Sequence, residues 1–124
     1  TSNDGILNVA GGDNHPFRLY WNADVPVTLC TDDEGISRSN LTMEYARAAQ
    51  WFGLSYGHLK WLAFSSLEYS YLPGESLFIN GDFNRLKTAP PQGSVKAALE
   101  QQLREDFQRF EADMERNILL MKRR

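Results

Sequence analysis

The chain has 124 residues, 42% hydrophobic and 23% charged, with 16 acidic and 13 basic side chains and a formal net charge of -3. That composition belongs to one ordinary globular domain with a core rather than to a disordered chain. Its mild acidity gives no electrostatic reason to expect a nucleic-acid partner. The single cysteine, Cys30, leaves no internal disulfide and no CxxC zinc site. No apolar run approaches the ~18 residues that suggest a bilayer span, so no membrane partner is expected. None of this fixes a compartment, and a soluble protein of bacterial cytoplasm or periplasm would look the same. The first residues, Thr1-Ser2-Asn3, carry neither an initiator methionine nor a signal-peptide pattern, so a processed or cut chain is expected.

Residues 1–14 are rich in Asn, Asp and Gly and read as a loop. Residues 15–21 suit a short helix with Pro16 in its first turn, and residues 22–24 a turn. Residues 25–31 read as a strand. Val25, Val27 and Leu29 fall on one face, and Thr28, Cys30 and Asp32 on the other. The strand ends in two adjacent carboxylates and a nearby glycine, Asp32-Asp33-Glu34-Gly35. An apolar strand that stops at acids suits the C-terminal mouth of a parallel barrel, where catalytic and metal-binding side chains gather. For an isolated aspartate, a capping role is the commoner alternative.

Thr42 is the expected N-cap of a helix with Glu44 in its first turn, ending at Phe52 before a C′ glycine, Gly53. Ser55 is expected to cap a second helix carrying Leu59, Leu62 and Ala63. A third short segment passes through Leu67 and Tyr71 to Pro73-Gly74. Residues 76–93, with their Pro, Gly, Asn and Asp, read as a surface loop. Ser94 opens the last helix, over residues 94–124. Val95, Leu99, Leu103, Phe107, Phe110, Met114 and Ile118 form one apolar stripe there, expected to pack on the chain's own domain. Glu100 with Arg104, and Glu105 with Arg109, are expected as i,i+4 pairs on its wet side.

One convincing strand cannot make a sheet. A second arises only if residues 76–80 find a partner. The apolar strand therefore asks for neighbours outside these 124 residues, and the remainder of a barrel, or self-association, would supply them.

Several pieces stand in a recognisable order: Thr1-Ser2-Asn3, His15-Pro16, Thr31-Asp32-Asp33, then Leu41-Thr42 with Glu44-Tyr45-Ala46. Gly53-Leu54-Ser55 and the run Ser66-Leu67-Glu68-Tyr69-Ser70-Tyr71-Leu72 follow. In this order residues 1–75 resemble the C-terminal portion of the adenosine deaminase family of metal-dependent amidohydrolases. The resemblance implies an α/β fold, the last strand and C-terminal helices of a (β/α)8 barrel of ~250 residues, with residues 25–31 as the eighth strand. It implies one zinc ion, held by upstream histidines together with Asp32 as metal ligand and catalytic residue. It also implies a small-molecule purine nucleoside substrate, deaminated by hydrolysis, with Asp33 on N7 of the purine.

N7 is an acceptor, so Asp33 would have to be protonated. Burial and the neighbouring carboxylate favour that, and a zinc ion opposes it. The two histidines, His15 and His58, match no ligand position of the family. Ser2 and Asn3 border the pocket or shape a turn, and Ser37, Arg38 and Ser39 form a polar loop near the mouth. The chain departs from the family at Glu34, where proline is usual, at Ser65-Ser66, where Asn-Ser is usual, and at Cys30. The competing reading is a non-catalytic helical interaction module in which the acid pair is incidental. It requires the chain to fold alone, without metal.

Overall fold

The computed structural model describes residues 14–32 and 34–122. Along them run α1 (Phe17–Asn22), α2 (Glu34–Ser37), α3 (Leu41–Phe52), α4 (Tyr56–Glu68), strands β1 (Phe78–Ile79) and β2 (Asp82–Leu86), and α5 (Val95–Met121). The chain divides into two compact units, Thr1–Ser66 and Leu67–Arg124. The expected loop over residues 1–14 lies outside the described residues except for its last.

Aromatic rings hold the first unit together. Phe17 is 6% exposed and stacks on Phe52 of α3 at 4.3 Å and on Trp21 at 5.4 Å. Trp21 meets Trp61 of α4 edge-on at 5.4 Å. Such pairs contribute roughly 0.5–1.5 kcal/mol each beyond the area they bury. Arg18 donates to the Trp51 carbonyl, 3.3 Å away, and lies over the Phe52 ring, so it joins α1 to the C-terminal end of α3.

The helix boundaries follow local chemistry. Asn40, not Thr42, caps α3: its Oδ1 accepts from the Met43 amide at 2.9 Å. Both residue types are good caps. Extended backbone at Asn40 places it one residue before the first helical position, and Thr42 falls inside the helix. The helix ends as expected at Gly53, whose φ of 66° is cheap only without a Cβ. Ser55 caps α4, accepting from the His58 amide at 3.3 Å, while His58 Nδ1 accepts from the Ser55 amide at 3.2 Å. This is a capping box with histidine in place of the usual glutamate. No separate third segment follows. The helix continues to Glu68, and Ser70 closes it by donating its amide and hydroxyl to the Leu67 carbonyl.

Residues 25–31 are extended but form no strand, because no second strand lies beside them among the described residues. Among the described residues the only sheet is a hairpin inside the expected 76–93 loop. Asn80-Gly81 forms its two-residue turn with φ of 54° and 71°, the signs a type I′ turn requires. The register shifts between Phe78 and Ile79, and Asp82 Oδ1 accepts the Asn84 amide at 3.0 Å. Phe78 is buried and meets Phe83 edge-on at 5.2 Å.

Glu100 anchors this second unit. It is fully buried, not paired with Arg104 on the wet side, and its Oε2 accepts from the Leu77 amide at 2.7 Å and from Ser76 Oγ at 3.1 Å. Ser94 caps α5 through the Ala97 amide at 3.0 Å and also donates to the Glu75 carbonyl at 2.6 Å. Gly74, at φ 101°, allows this approach, since a Cβ there would stand 2.6 Å from Ser94 Cα. The expected stripe is not the buried face of α5. Ala97 and Glu100, outside it, are buried; Leu103 and Phe107 are half-buried, whereas Val95, Leu99, Phe110, Met114 and Ile118 are 42–51% exposed. Arg109 pairs with Asp106, three residues back, rather than with Glu105.

Burial pushes the Glu100 carboxyl above its ordinary value, against the opposing hydrogen bonds from Leu77 and Ser76, and the nearby Glu68 adds to the rise. A folded-state value above the unfolded one means the native state holds the proton more tightly. This contribution is therefore complete below the unfolded value and is lost as pH rises through the folded one. Glu100→Gln keeps an acceptor for Leu77 without the charge and is expected to flatten that fall in melting temperature. Glu100→Ala strands the Leu77 amide and is expected to cost about 1–3 kcal/mol. Thermal melts of both variants across acidic to neutral pH check this; a Gln variant that keeps the wild-type slope would count against it.

Candidate active site

The first unit carries an open cleft of about 320 Å³, lined by α1, the extended segment and α3. On one side stand Val27, Thr28, Leu29, Cys30 and Asp32, and facing them Glu44, Arg47, Ala48, Trp51 and Phe52. Burial along the extended segment keeps the expected alternation. Val27, Leu29 and Thr31 are half-buried, whereas Thr28, Cys30 and Asp32 are exposed. Val25 departs from it at 43% exposure. The face that carries Asp32 is thus not yet an interior, and Cys30 is a free, exposed thiol rather than a packed one.

Asp32 has a φ of 53°, in the left-handed region that aspartate tolerates better than most residues. The chain turns there from the extended run into α2, and the carboxylate is left at the rim of the cleft. Asp33 and the Ser2-Asn3 pair lie outside the described residues. His15 lines the cleft, and its Nδ1 accepts from the Phe17 amide at 3.1 Å. His58 is exposed and spent on the α4 cap.

The far wall holds residues that sequence reasoning did not single out. Glu44 was read only as a first-turn acid, yet it accepts a short hydrogen bond from the buried Ser39 hydroxyl and lies 3.7 Å from Arg47 Nη1. That nitrogen is enclosed and makes no hydrogen bond among the described residues. The signal was available, because Glu44, Arg47, Ala48 and Trp51 are spaced three, four and seven apart and share one face of α3. Ser65 Oγ is likewise buried without a hydrogen-bond partner among the described residues, at a position where the resemblance expects asparagine.

Among the described residues no three His, Cys, Asp or Glu side chains converge on a site for a metal ion. Asp32 alone would offer a metal ion a single carboxylate. Catalytic zinc sites generally take three protein ligands.

The sequence comparisons place the segment that carries Asp32 in a known family. The Adenosine deaminase family profile matches residues 1–77, and the chain belongs to that family. It is 34% identical over 71 residues to the N6-Methyl-AMP deaminase-L of Xenopus laevis, covering 57% of this chain and 20% of that protein. It is 38% identical over 78 residues to the Aminodeoxyfutalosine deaminase of Streptomyces coelicolor, covering 61% and 20%. It is 33% identical over 67 residues to the Adenosine deaminase of Enterococcus faecalis, covering 53% and 20%. The chain thus spans about a fifth of the length of these relatives. No solved structure matches it.

Removing the Glu44 carboxylate takes one acceptor from the buried Ser39 hydroxyl and an acidic neighbour from Arg47 Nη1. Glu44→Ala is expected to destabilise the chain by about 1–3 kcal/mol, and Glu44→Gln, which keeps an acceptor for Ser39, by less. Urea unfolding followed by tryptophan fluorescence measures both. Equal losses for the two variants would show that Ser39 draws nothing from the contact.

Proposed function

We propose that this chain contributes the C-terminal corner of a zinc-dependent deaminase that hydrolyses adenosine, or a related aminopurine, to inosine (or the matching oxopurine) and ammonia. The observation that carries the reading is the family match across the segment whose last residue before the acid pair, Thr31, leads into Asp32 at the cleft rim. In this reading residues 25–31 are the eighth strand of a (β/α)8 barrel, and the missing strands and histidines belong to the rest of the protein.

Zinc, when bound, supplies Lewis acidity and brings the pKa of a coordinated water to about 7. Asp32 offers it one carboxylate oxygen and keeps a second that can accept a hydrogen bond from the attacking water and orient it. Asp33, in its protonated form, donates a hydrogen bond to the purine N7. The apolar wall formed by Val27, Leu29, Trp51 and Phe52 borders the carboxylate with low-polarity surface, and such surface strengthens charge interactions once water is excluded. The three named relatives are deaminases of different substrates yet match overlapping parts of this chain at similar identity. The choice of substrate is accordingly assigned to residues beyond the match.

Purified and supplied with zinc and adenosine, the 124-residue chain is expected to release no ammonia, since it offers one metal ligand of the three or four required. Turnover by this material would overturn the partial-site reading. In the complete enzyme, Asp32→Ala is expected to lose both bound zinc, read by metal analysis, and activity. Retention of stoichiometric zinc by that variant would remove Asp32 from the ligand set.

The proton on Asp33 has its own test. Asp33→Asn preserves a donor toward N7 and should keep much of the substrate affinity, whereas Asp33→Ala should lose it. Binding of a ground-state analogue measures the difference, and equal losses in the two variants would contradict a donating Asp33.

A further inference from the structure

Two carboxyl groups meet near the start of α5. Lys96 and Glu100 stand four residues apart on one face of that helix. Lys96 Nζ donates to the Glu68 backbone carbonyl at 2.6 Å, which sets the last residue of α4 against the turn that carries Glu100. The Glu68 side chain is half-buried, and its carboxyl lies within hydrogen-bonding reach of the Glu100 carboxyl.

The two groups have complementary gaps. Glu68 Oε2 is enclosed, and no N–H or hydroxyl group among the described residues donates to it. On fully buried Glu100, Oε2 takes the Leu77 amide and the shorter of the two Ser76 contacts. Oε1 has only the Ser76 hydroxyl at 3.3 Å, and a hydroxyl hydrogen aimed at Oε2 leaves Oε1 without a donor. One enclosed oxygen thus lacks a donor, and a neighbouring one is free to carry a proton. Two ionised carboxylates here would repel each other in a site with little water. The surrounding cations are engaged elsewhere. Lys96 serves the Glu68 carbonyl, and Lys87 pairs with Glu75 at 2.9 Å. Arg104, one turn further along α5, forms no ion pair with Glu100 among the described residues.

We propose that Glu68 and Glu100 share one proton, carried on Glu100 Oε1 and donated to Glu68 Oε2, and that this proton is a pH-sensitive latch. While it is present, the Leu77 amide keeps its carboxyl acceptor and no like charges meet. Its loss leaves two carboxylates side by side. Their repulsion and desolvation then drive Glu100 toward water and free the Ser76–Leu77 segment. Opening releases the proton, so it becomes easier as pH rises from the ordinary carboxyl range to the folded-state value of the pair. The family match covers Glu68 and ends at residue 77, short of Glu100. The latch therefore ties the matched segment to the helix beyond it.

Infrared spectra of the 124-residue chain across a pH titration test the shared proton. They are expected to show the C=O stretch of one protonated carboxyl that persists after the others have ionised. Glu100→Gln is expected to remove that band. Glu68→Gln leaves Glu100 its carboxyl and replaces the like charge with an amide donor, and is expected to shift the loss of the band to lower pH. Hydrogen exchange at the Leu77 amide, corrected for its intrinsic rate, tests the latch. Wild-type protection is expected to fall about tenfold per pH unit over the same interval, the dependence of an opening that releases one proton. In Glu68→Gln that interval is expected to shorten. A wild-type spectrum without the persistent band would overturn the proposal. So would a band that titrates alike in wild type and folded Glu68→Gln, or Leu77 protection that does not change with pH.

Discussion

Extended backbone has to place its amides and carbonyls somewhere, and in the first unit residues 27–31 place none of theirs on other described backbone. The Val25 amide is taken by the Tyr20 carbonyl and Pro26 has none to give, but beyond them no described backbone group pairs with the segment. Water can serve exposed groups at little cost, whereas a buried orphan costs ~1–3 kcal/mol. The segment therefore stays at the surface, with Thr28, Cys30 and Asp32 turned to solvent. The same open edge explains the cleft beside it: α1 and α3 pack through Phe17 and Phe52 on one side, and nothing described closes the other. An unpaired apolar edge of this kind is a liability in a finished protein. Pairing it would bury Val27 and Leu29 more fully and wall in the Asp32 carboxylate in the same step.

The second unit answers the same hydrogen-bond demand internally. Its hairpin is short and irregular, and the amide of Leu77 is satisfied not by a neighbouring strand but by the carboxylate of Glu100. A carboxyl group is kept out of water for that purpose, and Ser76 offsets part of the cost with a further bond to the same oxygen pair. Ser94 does two jobs nearby, capping α5 and holding the Glu75 carbonyl. Gly74 provides the close approach that lets both occur. The family match ends at residue 77, where this scheme begins.

What the sequence made legible divides along the same physical line. Caps and stops depend on a few neighbouring residues, so Gly53, Ser55 and Ser94 could be read directly. Asn40 lost out to Thr42 because two adjacent candidates have nearly equal capping strength, and backbone conformation decides between them. The Asn80-Gly81 turn was visible as a dipeptide, but the strands around it are two and five residues long, too short for alternation to stand out. Glu100 was misplaced because periodicity assigns it a helix face without saying what covers that face. Residues 25–31 were read as a strand and form none among the described residues, because alternation marks a face without supplying the partner that turns a segment into a strand. The acid at the site was legible from its position after that run, whereas Glu44 and Arg47 on the opposite wall were hidden among ordinary helix-surface charges.

The adjacency of the two acids constrains what they can do. Consecutive side chains leave an extended chain on opposite faces, and the left-handed turn at Asp32 breaks the alternation there. The carboxylate of Asp32 is thereby committed to the rim of the cleft. Two carboxylates serving the same atom would repel and hold a shared proton. Two that diverge can keep different charge states, one ionised toward a cation and the other neutral toward an acceptor. A left-handed aspartate costs of order 1–3 kcal/mol where nothing supports it. Its position between an open β-type edge and a four-residue helix is the feature that makes such a division of labour possible in this chain.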